Sequence, residues 1–228
     1  MINIETVVYA LLGGVLPSLV WLVFWLREDY KNPEPKRLIL KTFLLGMMTV
    51  MIVLIFQKWV DALFPGMTLF AILLWVILEE TGKLIAAFFG GLRSNEDNEP
   101  IDPIIYMLTA ALGFAALENT LFIFGPLAGE DISTSLITGN LRFIGATLLH
   151  VVSSGIIGVS LAFSFYESKV KRVILTLIAV ILAIAFHSGF NLAILNWNSS
   201  GTMLAFGSVW LGVIFLLVAF EKAKTIAH

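Results

Sequence analysis

Cysteine is absent from the 228 residues. That one absence removes a disulfide framework, a thiol nucleophile and any thiolate metal site. Charge is scarce too: Asp, Glu, Lys and Arg make up 13% of the chain, against roughly a quarter in soluble domains. There is no internal repeat, no polar stretch long enough for a soluble domain and no basic patch suited to nucleic acid. The first apolar run has neither a basic lead-in nor a small-residue cleavage site, so it reads as a retained helix rather than a removed signal peptide. Apolar residues fill the space instead, at 59% of the chain and a mean hydropathy of +0.95.

Those residues fall into runs of about the 20 that a bilayer-spanning helix needs, at 5–26, 38–60, 67–91, 103–124, 140–165, 173–195 and 202–220. The expected fold is all-α, a polytopic bundle of about seven transmembrane helices forming one membrane domain over residues 1–228. The separators, among them REDYKNPEPKR, FPGM and RSNEDNEPIDP, carry turn and helix-breaking residues. Basic loops stay in the cytoplasm. With the N-terminus outside and the C-terminus inside, eleven of the fourteen Lys and Arg fall on cytoplasmic segments, only Lys58 and Arg142 fall outside, and Lys83 lies in mid-helix.

The informative residues are the polar ones inside the runs. An acidic group at mid-helix costs about 2.5–3.5 kcal/mol on insertion scales, so such groups face the bundle interior and find partners. Glu79 and Glu80, Glu118, His150 and His187 lie on four different helices. Counted from the predicted external ends at 1.5 Å per residue, they share a layer roughly 9–17 Å deep. Helices running in opposite directions have no reason to do this unless the groups meet. Lys83 stands four residues after Glu79 and three after Glu80, so it can neutralise one carboxylate while the other points about 100° away. His187 and Asn191 are i,i+4 and share a face.

Carboxylate plus imidazole can activate water: a glutamate removes the proton and a histidine orients the water, binds a metal or protonates a leaving group. Asn191 can serve a developing oxyanion. A second chemistry stays open, in which Glu118, His150 and His187 hold Zn²⁺ as an N,N,O triad with a free fourth position, although the HExxH helix signature is missing.

DYKNPEP in the first cytoplasmic loop, EETGK in the third run, GFAALENTLF in the fourth, His150 in the fifth and HSGFN in the sixth, in that order, resemble the PrsW family of intramembrane proteases. That family is related to the CAAX-prenyl endopeptidases and bacteriocin-processing membrane proteases. The resemblance covers about residues 27–195. It implies cleavage of a single-span membrane protein such as an anti-sigma factor, in a prokaryotic plasma membrane. Carried over position by position, it implicates Glu79, Glu80, Glu118, His150, His187 and Asn191. The family is commonly described as metalloproteases, while related enzymes have been argued to work through glutamate without a metal.

Two rivals come from other classes. A proton-coupled transporter also uses chains of Glu and His, but the two halves of this chain do not match as repeats would. A non-catalytic scaffold has a precedent in a related subunit of γ-secretase. Elsewhere, Gly125–Gly139 reads as a long external loop, Arg142 as a snorkelling arginine, RSNEDNEPID as a solvated connection, and NSS at Asn198 as a chance glycosylation match.

Overall fold

The computed structural model describes residues 4–66, 68–129, 131–195 and 199–226; Asn198 lies outside them. All regular structure in these residues is helical: α1 (Ile4–Leu26), α2 (Lys36–Leu63), α3 (Leu69–Ala87), α4 (Asp102–Ala128), α5 (Ile132–Leu141), α6 (Thr147–Phe163), α7 (Lys169–Leu195) and α8 (Ser199–Ala223). A π-helical segment, Phe88–Leu92, extends α3, and another, Arg142–Ala146, joins α5 to α6. The result is seven rods in the seven expected runs.

Among the described residues, six segments are long and apolar enough to cross a membrane: Ile4–Asp29, Lys36–Leu63, Asp102–Ala128, Ile132–Phe163, Lys169–Leu195 and Gly201–Ala223. The rod left out, α3, is the one that carries Glu79, Glu80 and Lys83. Its charges are buried, so their solvation is supplied by neighbouring helices rather than by lipid.

At the centre stands α4, buried on all sides over Asp102–Ala116. Small residues let its neighbours come to backbone contact, which in lipid is a main source of helix association. A Cβ on Gly46 of α2 would collide with the Ala110 carbonyl, one on Gly113 with the Phe43 carbonyl, and one on Gly14 of α1 with the backbone of Ala116 and Thr120. On its other side α4 meets α6, where Gly158 lies against the Ile104 backbone.

One end of the bundle gathers the loops expected in the cytoplasm. Asn32 donates to Glu99 at 2.8 Å, Lys224 pairs with Glu28 at 2.8 Å, and Arg172 lies 3.8 Å from Asp97. These contacts tie the α1–α2, α3–α4 and α6–α7 connections and the end of α8 together, as seven alternating rods require. Two expectations about loops are corrected here. The RSNEDNEPID stretch is not simply solvated: Pro100, Ile101 and Asp102 are buried, and the Asn98 and Glu99 amides donate to Asp102 at 2.8 and 2.7 Å. Burial with little compensation pushes the Asp97 carboxyl up to about 7, against the pull of Arg172. Gly125–Gly139 is likewise not an open loop. Asp131 caps α5 by accepting from the Thr134 amide at 3.0 Å, and α5 runs directly into the next rod.

Candidate active site

Helix phase decides which glutamate does what. Neighbouring residues on a helix point about 100° apart, and α3 sends Glu80 toward α6 and α7 while Glu79 faces α2 and the cavity. Glu80 is 0% exposed and fully bonded. Its Oε1 accepts from Lys83 Nζ at 2.6 Å, His187 Nδ1 at 2.6 Å and Ser153 Oγ at 2.8 Å; its Oε2 accepts from Ser154 Oγ at 3.1 Å. Four donors engage this one carboxylate, three of them on Oε1. Glu79 differs: Oε1 accepts from Gln57 Nε2 at 3.0 Å, while Oε2 is buried with no hydrogen-bond partner.

The bonds fix the imidazole tautomers. A carboxylate only accepts, so His187 Nδ1 carries the proton it gives Glu80, and in the neutral ring Nε2 keeps its lone pair. That lone pair faces Glu79 Oε2 at 3.6 Å. An ammonium only donates. His150 Nδ1 therefore accepts from Lys83 at 3.1 Å, and its Nε2–H donates to Glu118 Oε2 at 3.0 Å. The two rings meet edge to face, with centroids 5.0 Å apart.

Glu118 is held from a second side. Arg142, at the head of the second π-helical segment, pairs with Glu118 Oε2, donates to Asn119 Oδ1 at 2.6 Å and stacks on Phe122 at 3.9 Å from the ring centroid. Asn119 in turn donates to Thr147 Oγ1 at 2.8 Å. Arg142 is thus a partner of the buried network rather than a free snorkelling cation, and the π-helical turn that starts at Arg142 places it there.

Glu79, Glu118, His150, His187 and Asn191 all line one cavity of about 620 Å³. Its other walls are largely apolar, including Val50, Ile72, Trp75, Phe122 and Phe206. Lining residues such as Asp61, Leu121, Arg142 and Leu195 belong to the helix ends away from the basic loops, so the space runs toward the end that carries Lys58 and Arg142. Of the six residues singled out in the sequence, five share the cavity, and Glu80 lies behind its wall, bonded to His187.

Ligand-capable atoms of Glu79, His150 and His187 all lie within 4.8 Å of one another. Two imidazoles and a carboxylate suit Zn²⁺, and the orphan Oε2 facing the free Nε2 fits a cation between them. The Glu80 bond to His187 Nδ1–H is the outer support that metal-binding histidines ordinarily have. His150 must give up Lys83 or Glu118 to join. The set differs from the one read in the sequence, Glu118 with His150 and His187, because Arg142 already neutralises Glu118. Gln57 was not legible as a participant, although it is the one amide in its apolar run.

A family model described as PrsW family intramembrane metalloprotease matches residues 34–220. Curated relatives are named Protease PrsW. Protease PrsW of Halalkalibacterium halodurans is 25% identical over 219 residues, covering 94% of this chain and 95% of the relative. Those of Bacillus subtilis and Geobacillus kaustophilus are 26% identical over 188 residues, covering 81% and 84%, and 29% identical over 159 residues, covering 69% and 65%. No solved structure matches the chain.

Proposed function

This chain belongs to the PrsW family of intramembrane metalloproteases, and from that premise we propose that it hydrolyses a peptide bond of a membrane-anchored, single-span protein, such as an anti-sigma factor, with Glu79 as the group that activates water. The observation that carries the assignment is the orphan Glu79 Oε2 on the cavity wall, 3.6 Å from Nε2 of His187. A water between those atoms gives one proton to Glu79 while its oxygen lone pair attacks the scissile carbonyl carbon. His187, held by Glu80, orients that water. The Asn191 amide donates to the developing oxyanion. When the C–N bond breaks, Glu79 returns the proton to the leaving nitrogen. His150, fixed between Lys83 and Glu118, keeps the cavity wall polar at the same depth.

Glu79, His150 and His187 would hold a divalent metal such as Zn²⁺, which when bound supplies Lewis acidity and lowers the pKa of water. In either form Glu79 is indispensable. The whole chain acts as one membrane domain, with the basic loops in the cytoplasm and the cavity opening toward the outside of a prokaryotic plasma membrane.

Glu79→Gln is nearly isosteric and keeps an acceptor for Gln57, so it tests the chemistry rather than the packing. In proteoliposomes with a single-span substrate it should lower cleavage by roughly three or more orders of magnitude, since one member of a joint unit costs almost as much as all of them. Cleavage near the wild-type rate would sink the assignment.

A further inference from the structure

The other end of the bundle holds a second cluster, built only of oxygen. Asp29 closes the 3₁₀ turn after α1, Glu34 lies in the turn before α2, Glu99 precedes α4 and Asp102 opens it. Ligand-capable oxygens of Asp29, Glu99 and Asp102 lie within 4.8 Å of one another. Asp29 and Asp102 are 4% and 1% exposed, so these are not surface acids screened by water.

Every donor that reaches the cluster is neutral. The Glu34 amide donates to Asp29 at 3.3 Å, the Asn98 and Glu99 amides to Asp102, Asn32 to Glu99 at 2.8 Å and the Tyr106 hydroxyl to Glu34. Nearby cations are engaged elsewhere: Lys224 pairs with Glu28 and Glu221, and Arg172 lies against Asp97. Among the described residues, no basic side chain forms an ion pair with any of the four. Both backbone bonds to Asp102 land on Oδ2, and Oδ1 is buried with no hydrogen-bond partner. A buried carboxylate oxygen left bare among like charges costs several kcal/mol unless a cation or proton meets it.

We propose that Asp29, Glu99 and Asp102, with Glu34 beside them, bind a hard divalent cation that clamps the α1–α2 turn to the start of α4. An all-oxygen donor set from irregular segments suits Ca²⁺, which accepts flexible coordination, better than Mg²⁺, which demands a near-ideal octahedron. It excludes the softer metals that imidazole and thiolate select. A cavity of about 430 Å³, lined by Asp29, Glu99, Glu28 and Tyr30, gives the ion a route in. The clamp fixes the helix that carries Glu118, and it does not depend on the protease chemistry.

The test uses the full chain in detergent, stripped with chelator and titrated with CaCl₂, reading thermal unfolding and Tb³⁺ luminescence sensitised by nearby Tyr106 and Trp25. Wild type should gain stability saturably, and His187→Ala, which disables the other candidate metal site, should respond in the same way. Asp29→Asn should be more stable than wild type in chelator, because a like charge is gone, and should weaken Ca²⁺ binding by about tenfold or more. No saturable response in wild type, or a response unchanged in Asp29→Asn, overturns the proposal and leaves carboxylates that share protons. Asp102→Asn repeats the measurement at the orphan oxygen; if it fails to fold, wild type and Asp29→Asn decide alone.

Discussion

His187 Nε2 and Glu79 Oε2 face each other at 3.6 Å, and that oxygen is buried with no hydrogen-bond partner. With the ring neutral, such a pair is repulsive in a low-dielectric interior unless a water, proton or cation bridges it. Each atom is aimed by a different partner: Glu80 holds the far nitrogen of His187, and Gln57 holds the other oxygen of Glu79. The gap is therefore built from both sides.

Both histidines should be indispensable. His187→Ala removes the free nitrogen and should abolish cleavage together with any Zn²⁺ that the purified wild type retains; His150→Ala should also nearly abolish cleavage. Asn191→Ala should cut turnover by roughly 10²–10³, the range for loss of an oxyanion donor, with metal content unchanged. Elemental analysis beside the cleavage assay reads both. A wild type that is active without metal and insensitive to chelator would assign all the water chemistry to Glu79.

The sequence made the layer legible because depth depends only on counting along helices, and Glu79, Glu118, His150 and His187 do meet at one cavity. It also made the division between the glutamates legible in kind, since Lys83 can reach only one of them well. Which one it reaches was not legible, because that depends on how α3 is rotated against α6, where Ser153 and Ser154 wait for Glu80. Arg142 was misread because periodicity does not reveal a π turn. The burial of Asp102 was missed because the polar RSNEDNEPID stretch looks solvated until the α1–α2 turn covers it.

Close approach of α2 and α4 gives a test of the frame. Gly113→Ala puts a methyl into the Phe43 carbonyl, a backbone atom that cannot rotate away, and should lower the unfolding midpoint clearly or prevent insertion. Gly189→Ala meets nothing within 4 Å and should be neutral or slightly stabilising, as Ala favours helix over Gly. Equal behaviour of the two variants in detergent melts would show that the α2–α4 contact is looser than described.

Sidedness can be read because the chain has no cysteine of its own. Tyr30, 70% exposed, lies in the basic loop after α1, and Ser133 is exposed at the start of α5. In intact cells an impermeant thiol reagent should label Ser133→Cys and spare Tyr30→Cys until the membrane is opened. The reverse pattern would place the basic loops outside, against the charge asymmetry, and turn the cavity toward the cytoplasm.

Lys83 separates structural from chemical roles most sharply. Its ammonium is 0% exposed, 2.6 Å from Glu80 Oε1 and 3.1 Å from His150 Nδ1. Removing one partner of a buried pair strands the other charge, at a cost of about 3–5 kcal/mol. Lys83→Met keeps the volume, so its loss of stability should come chiefly from the stranded Glu80 charge, with a smaller part from the His150 Nδ1 left without its donor. The folded fraction should still cleave, with far more activity than Glu79→Gln, because Glu79, Asn191 and the free nitrogen of His187 remain on the cavity wall. Adding Glu80→Gln removes the stranded charge while Ser153 and the His187 Nδ1–H keep an oxygen to donate to, and the Ser154 hydroxyl can accept from the new amide nitrogen. The double variant should therefore melt well above Lys83→Met, a coupling that a thermodynamic cycle measures directly. A double variant no more stable than the single would mean that the ammonium is needed by His150 rather than by Glu80, and would move Lys83 from the scaffold of the site into its chemistry.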